Sequence, residues 1–146
     1  LLATGFGSGH SPFAPGTAGT AIGVIIFLPI LSTPLSFQIG FVIVSFFLGV
    51  LITARVASDM GIKDPPEIVF DEFVGIWVAL LGVKNLVLII PAFVIFRLLD
   101  IFKPWPVSFF DREIKGGWGI MLDDLVAGAI VFLLIQSLLL FLKPIS

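Results

Sequence analysis

The sequence has no cysteine, one histidine and few charges for its length. Without cysteine there are no disulfide scaffolds, thiolate metal sites or thiol nucleophiles. A single histidine, His10, cannot support a phosphohistidine mechanism that needs a second histidine as acid. Charged residues make up 12% of the 146 residues, against roughly 25% in an ordinary globular chain, so a water-exposed surface of the usual kind is excluded. The 8 basic and 10 acidic residues leave a net charge of −2, which gives a nucleic-acid partner no electrostatic support.

Apolar residue types fill the space that charges leave. They make up 58% of the chain, with a mean hydropathy of +1.19. That excludes disorder and places the chain in or on a membrane. The length suits one domain, residues 1–146. No basic segment precedes the first apolar stretch, so no signal peptide is expected.

A Gly-, Ser- and Pro-rich entry segment, 1–15, reads as a loop. Apolar helical runs are expected over 16–31, 35–54, 71–81, 86–102 and 121–142, with a kink at Pro91. Pro65-Pro66 forbids a helix through the polar stretch 55–70. Residues 103–120 read as a Pro- and Gly-rich loop. Two runs are long enough to span a bilayer, which takes ~20 residues, and three are shorter. The runs are too long for strands and lack period-two alternation. The expected class is all-α: a small integral-membrane bundle of about five helical segments, some short or kinked.

Five successive traversals, or paired re-entrant dips, place the entry loop, 55–72 and 97–124 on one side. The connections near 32–35 and 82–86, and the C-terminus, fall on the other. All ten acidic residues then share the first side with Arg55, Lys63, Arg97, Lys103, Arg112 and Lys115, leaving only Lys84 and Lys143 opposite. The excess of Lys and Arg makes the charged side cytoplasmic.

On that side, Asp71-Glu72 is read as opening the third helix, Asp100 as closing the fourth and Asp123-Asp124 as opening the fifth. Small residues follow the two pairs by about one turn, Gly75 and Ala127-Gly128, which permits close helix approach. Acidic residues at helix N-termini complement the macrodipole. That accounts for one such residue, but poorly for two adjacent pairs, and not for Asp100 at a C-terminal end. Carboxylates gathered at one end of an apolar bundle repel one another unless a cation sits between them. Oxygen donors without cysteine select a hard ion, Mg²⁺ before Ca²⁺ or Mn²⁺.

Arg97, Asp100 and Lys103 stand at i, i+3, i+6 and share one helix face until Pro104. They form either a local ion-pair ladder or a set of cations beside a metal, the pairing a phosphate group requires. Pro104-Trp105-Pro106 fixes an extended exit with an indole at interfacial depth. Gly16 and Thr17, in the stretch Pro15-Gly16-Thr17-Ala18-Gly19-Thr20, can offer backbone N–H groups to an anion at a helix start. Glycine and threonine are equally common where membrane helices pack, so both readings stay open. His10 is a proton-donor candidate or an incidental loop residue.

The D-x-D pair of haloacid-dehalogenase-type phosphatases is absent, as is the D-x-x-D-G…D pattern of membrane alcohol phosphotransferases. What is present resembles another family. Gly5-Phe6-Gly7-Ser8-Gly9, Pro15-Gly16-Thr17 with Gly19, Asp71-Glu72-Phe73-Val74-Gly75 and Phe96-Arg97-Leu98-Leu99-Asp100 are similar to the phosphatidylglycerophosphatase A family. So are Lys103-Pro104-Trp105-Pro106, Phe110-Asp111-Arg112 and Asp123-Asp124-Leu125-Val126-Ala127-Gly128. The similarity covers nearly the whole chain in order.

The resemblance implies a Mg²⁺-dependent lipid phosphatase of the bacterial inner membrane that converts phosphatidylglycerophosphate to phosphatidylglycerol and phosphate. It also implies an all-helical fold with one central helix surrounded by others. On this reading Asp71, Glu72, Asp100, Asp123 and Asp124 are the metal ligands and catalytic residues, and Lys103, Arg97, Thr17 and Gly16 bind the phosphate. The attacking group is a water or a carboxylate. Expected partners are the phospholipid substrate and the bilayer. The alternatives are a phosphatase for another membrane phosphate ester, such as a polyprenyl phosphate, and a cation-transport protein.

Overall fold

The structure is a computed structural model that describes residues 1–10, 12–62 and 67–143. It is all-α, with no strand among the described residues. Pro15 opens α1 (Pro15–Phe27), where its fixed φ suits a helix and no N–H is needed. A short 3-10 turn, Ile30–Ser32, and Pro34 lead into α2 (Leu35–Met60), which stops at Gly61 in the left-handed region (φ 65°). Then come α3 (Phe70–Ala79), α4 (Ile89–Phe102), α5 (Val107–Glu113) and α6 (Gly116–Leu142).

The central helix, α3, is shorter than every other α-helix but α5. Helix α3 buries Phe70, Glu72, Phe73, Val74, Gly75, Ile76, Trp77 and Ala79, and it packs on α1, α2, α4 and α6. Phe27 stacks on Trp77 at 5.9 Å between ring centroids, Phe41 tilts against it at 5.0 Å, and the Trp77 indole N–H donates to the Gly23 carbonyl (2.7 Å). A buried indole is thereby fully satisfied by a neighbouring helix backbone. Ten residues reach only about 15 Å, half the hydrocarbon thickness, so α3 does not cross a bilayer. Three stretches are long and apolar enough to do so: Pro15–Ser32, Leu35–Met60 and Gly116–Leu142.

Several boundaries differ from the sequence-based expectation. The second helix continues past Ala54 to Met60, because Arg55 and Asp59 do not interrupt backbone hydrogen bonding and the first breaker is Gly61. Residues 103–120 are not one loop: Pro104 and Pro106 break the chain only up to Val107, where α5 begins. Helix α6 starts at Gly116, not Met121, despite its glycines. A Cβ on Gly117 would lie 2.1 Å from the Val50 carbonyl oxygen, so Gly117 is a packing position whose contact with α2 outweighs its poor propensity. Pro91 falls in the first turn of α4, which begins at Ile89, where a missing N–H costs no intrahelical hydrogen bond, so it lies at the start of the helix and not in its interior. Three stretches, rather than two, are long enough to span. The entry segment contains a 3-10 stretch, Gly5–His10, and the Ala3 carbonyl accepts from the Val69 and Phe70 N–H groups at the start of α3. Lys63, Asp64 and the Pro65-Pro66 break lie outside the described residues.

The connections group by end as the parity count expects. Gln38, buried in α2, donates to the Leu31 and Thr33 carbonyls (3.3 and 3.0 Å) and accepts from the Gly82 N–H (3.0 Å), while Gln136 donates to the Leu81 carbonyl (3.1 Å). Lys84 and Lys143 line one cavity of about 370 Å³ at this end. Gln38→Ala leaves these backbone groups unpaired and is expected to destabilise the bundle by about 2 kcal/mol, measured as a loss of thermal stability in detergent. An unchanged transition would show that water replaces the amide.

Candidate active site

At the opposite end, α3 and α6 cross in backbone contact. A Cβ on Gly128 would lie 2.1 Å from the Gly75 carbonyl oxygen, and one on Gly75 would lie 2.8 Å from the Asp124 carbonyl oxygen. Only residues without side chains fit there. Asp71 precedes Gly75 by four residues, as Asp124 precedes Gly128, so both carboxylates stand on the crossing face of their own helix.

One oxygen each from Asp71, Glu72 and Asp124 lies within 4.8 Å of the others. Glu72 and Asp124 are buried and Asp71 is half-buried. Among the described residues, no hydrogen-bond donor reaches the buried oxygens Asp71 Oδ1 and Glu72 Oε2 or either oxygen of Asp124. Asp100 stands within electrostatic reach of all three and of Asp123. Burial, and then the charge of Glu72, pushes the Asp71 carboxyl well above the usual carboxylate range. Glu72 is raised by burial and then by the charge of Asp124, with Arg97 opposing. Unpaired lone pairs on buried, hard oxygen donors form a set that a divalent cation fits.

The cations occupy distinct places. Arg97 pairs with Asp100 one turn along α4 and lies 4.0 Å from Glu72 Oε1; its side chain is 13% exposed and its Nε has no partner among the described residues. A Cβ on Gly16 would lie 2.7 Å from Glu72 Oε1 and 2.8 Å from an Arg97 terminal nitrogen, so the start of α1 closes over this pair. Its N-cap residue, Ala14, makes no side-chain cap hydrogen bond. Thr17, next along, is half-buried, and His10 is exposed.

Lys103 does not continue the expected ladder. It caps α4 with a left-handed backbone (φ 45°), which turns its side chain away from Asp100. Its Nζ bonds Asp123 Oδ2 (2.6 Å) and Asp111 Oδ1 (2.9 Å). Burial works against the Lys103 charge, but the two carboxylates outweigh it and hold the ammonium above its ordinary range. Asp123 and Asp124 do not open the last helix: they lie about two turns inside α6, where a helix-dipole role does not apply. They also face different partners, because Asp123 is engaged by Lys103 and by the Asp124 N–H (2.9 Å), whereas neither Asp124 oxygen has a donor among the described residues. Asp111 was not singled out as a site residue from the sequence, where it figures only in the Phe110-Asp111-Arg112 motif; its eight-residue distance from Lys103, across two prolines, has no helical meaning.

The profile of the family described as Phosphatidylglycerophosphatase A matches residues 1–139. Phosphatidylglycerophosphatase A of Escherichia coli (strain K12) is 42% identical over 132 residues, which cover 89% of this chain and 77% of that protein. Phosphatidylglycerophosphatase A of Haemophilus influenzae is 41% identical, with coverage of 87% and 80%. A Bacteroides thetaiotaomicron protein named "Putative phosphatidylinositol-3-phosphatase" is 41% identical, with coverage of 92% and 89%. No solved structure matches. With nearly its whole length matched to the profile, and two relatives of that name above 40% identity, the chain belongs to the phosphatidylglycerophosphatase A family.

Proposed function

We propose that the chain hydrolyses phosphatidylglycerophosphate to phosphatidylglycerol and phosphate at the α3–α6 crossing, with Mg²⁺ as cofactor. The observation that carries this reading is the group of donor-free, buried carboxylate oxygens on Asp71, Glu72 and Asp124 beside the Arg97 guanidinium. Asp71, Glu72 and Asp124 would hold the metal, with Asp100 and Asp123 completing the acidic wall. When bound, the metal neutralises charge on the phosphate oxygens and positions them for in-line displacement.

The protein's own residues supply the rest. Arg97 presents a planar fork of donors to phosphate oxygens while Asp100 holds it in place. The ammonium of Lys103 has three donors, of which Asp111 and Asp123 take two, and the third serves the phosphate. Gly16 and Thr17 bring the N–H groups at the start of α1 toward the same anion. Apolar flanks take the acyl chains, so only the head group reaches the carboxylates. A carboxylate off the metal orients the attacking water or attacks directly. The charged end faces the cytoplasm of a bacterial inner membrane, since Arg and Lys concentrate there.

The test is phosphate release from the lipid by the detergent-purified chain. EDTA is expected to lower the rate by a factor on the order of 100 or more, and Mg²⁺ in excess to restore it. Activity unchanged by chelation would remove the metal. The name of the Bacteroides relative makes a second head group worth measuring in parallel: phosphatidylinositol 3-phosphate, together with a polyprenyl phosphate. The expected preference is about tenfold or more in kcat/KM for phosphatidylglycerophosphate, and equal rates would assign a general lipid phosphomonoesterase instead.

A further inference from the structure

Asp111 lies on α5, outside the acidic group, and reaches the site only through the Lys103 ammonium. We infer that Asp111 is a positioning residue: by holding Lys103 against Asp123, it keeps the ammonium out of the carboxylate group of Asp71, Glu72 and Asp124 that faces the bound cation. The inference rests on the proposed reading of the site.

A lysine side chain is a long flexible stem with a point charge at its tip, and one partner does not fix it. Here the stem leaves a left-handed C-cap followed by Pro104, so the main chain sets its starting direction while the two carboxylates set its end. Both oxygens of Asp123 have a donor, Oδ2 from Lys103 and Oδ1 from the Asp124 N–H. The neighbouring carboxylate has neither oxygen paired. If Lys103 were released from Asp111, its ammonium would be free to follow the strongest nearby negative charge. That charge is the acidic group itself, where Lys103 would compete with the divalent ion. The third feature is accessibility: the Asp111 side chain is 36% exposed and that of Asp123 is 6% exposed. The outer carboxylate can thus be changed without opening the core around α6. An exposed ion pair of merely structural kind contributes little and would leave the metal and the lysine chemistry untouched.

The experiment uses the full chain in detergent, with Asp111→Asn, Asp111→Glu, Lys103→Gln and the Asp111→Asn/Lys103→Gln double variant. Three readouts are taken: the rate at which an amine-reactive acetylating reagent modifies Lys103, followed by peptide mass spectrometry; Mn²⁺ affinity, followed by its paramagnetic resonance signal; and kcat with KM for phosphate release. Asp111→Asn is expected to slow Lys103 acetylation at least fivefold, because the ammonium moves in among buried carboxylates, and to weaken Mn²⁺ binding about fivefold and lower kcat about tenfold, with KM within twofold. Asp111→Glu should restore at least half of each. In the Lys103→Gln background the asparagine should add less than twofold, because Asp111 acts only through that lysine. Wild-type acetylation and Mn²⁺ affinity in Asp111→Asn, or effects that add fully to those of Lys103→Gln, would overturn the inference. A wild-type chain that binds no Mn²⁺ and releases no phosphate would instead overturn the reading of the site, and this inference with it. The acetylation rates report Lys103 positioning in either case.

Discussion

Asp124→Asn is expected to remove phosphate release almost completely, by a factor on the order of 10³ or more, while the metal-free protein becomes more resistant to heat. The two effects have one cause. Asp124 is 1% exposed, both of its oxygens lack donors, and Asp71, Glu72, Asp100 and Asp123 stand around it. Without a cation these groups face one another across a water-poor space, and the fold bears that cost. Asparagine keeps the shape and removes one of the mutually repelling groups, so an increase of roughly 3–6 °C is expected, the equivalent of about 1 kcal/mol. With Mg²⁺ the order should reverse. The wild type gains stability by binding the ion in its native state, and the variant gains little. A scan of unfolding temperature against Mg²⁺ concentration shows whether the two curves cross. Wild-type turnover in Asp124→Asn, or a variant that Mg²⁺ stabilises as strongly as the wild type, would take Asp124 out of the ligand set. A gain in stability at the expense of activity is what a site built from strained charges predicts.

The same residues show how far a sequence can be read. The two carboxylate pairs, and the small residues one turn after each, were legible because helical spacing carries them: Asp71 to Gly75 and Asp124 to Gly128 are each four residues apart. Parity alone grouped the connections near 32–35 and 82–86 with the C-terminus, and the Gln38 and Gln136 hydrogen bonds follow that grouping. Local spacing misled at Lys103. The i, i+3, i+6 pattern holds only while φ stays helical, and at 45° the backbone directs the side chain toward α5 and α6. The start of α6 was hidden for a different reason. Gly116 and Gly117 are poor helix formers in isolation, and what compensates is the α2 backbone pressed against Gly117, a contact between residues far apart in the chain. The division of labour between Asp123 and Asp124 was equally invisible. Adjacent residues on a helix point about 100° apart, and which of them meets α3 depends on a crossing that no local pattern records.

That crossing carries the second large effect. Gly128→Ala adds one carbon where the nearest atom is the Gly75 carbonyl oxygen, at 2.1 Å. The obstacle is backbone of the buried central helix, which cannot rotate aside as a side chain tip would. The helices must separate instead, by an amount on the order of 1 Å, since an ordinary carbon contact begins at about 3.5 Å. Overpacking of this kind costs about 1–3 kcal/mol and should appear as a fall in unfolding temperature. The larger consequence falls on the site. Asp71 and Asp124 are fixed one turn from Gly75 and Gly128, so separating the backbones widens the carboxylate group directly, and a displacement near 1 Å is enough to cost about 100-fold in rate. The expected signature is a loss of kcat together with weaker Mn²⁺ binding, in a protein that remains folded below its lowered transition. Gly40→Ala is the control: it places the same methyl group on α2 with nothing within 4 Å, and it should leave both metal affinity and turnover at wild-type levels. If Gly128→Ala lost stability but kept its Mn²⁺ affinity and kcat, the close approach of α3 and α6 would be a packing device alone, and the carboxylates would owe their positions to something other than the glycine contact.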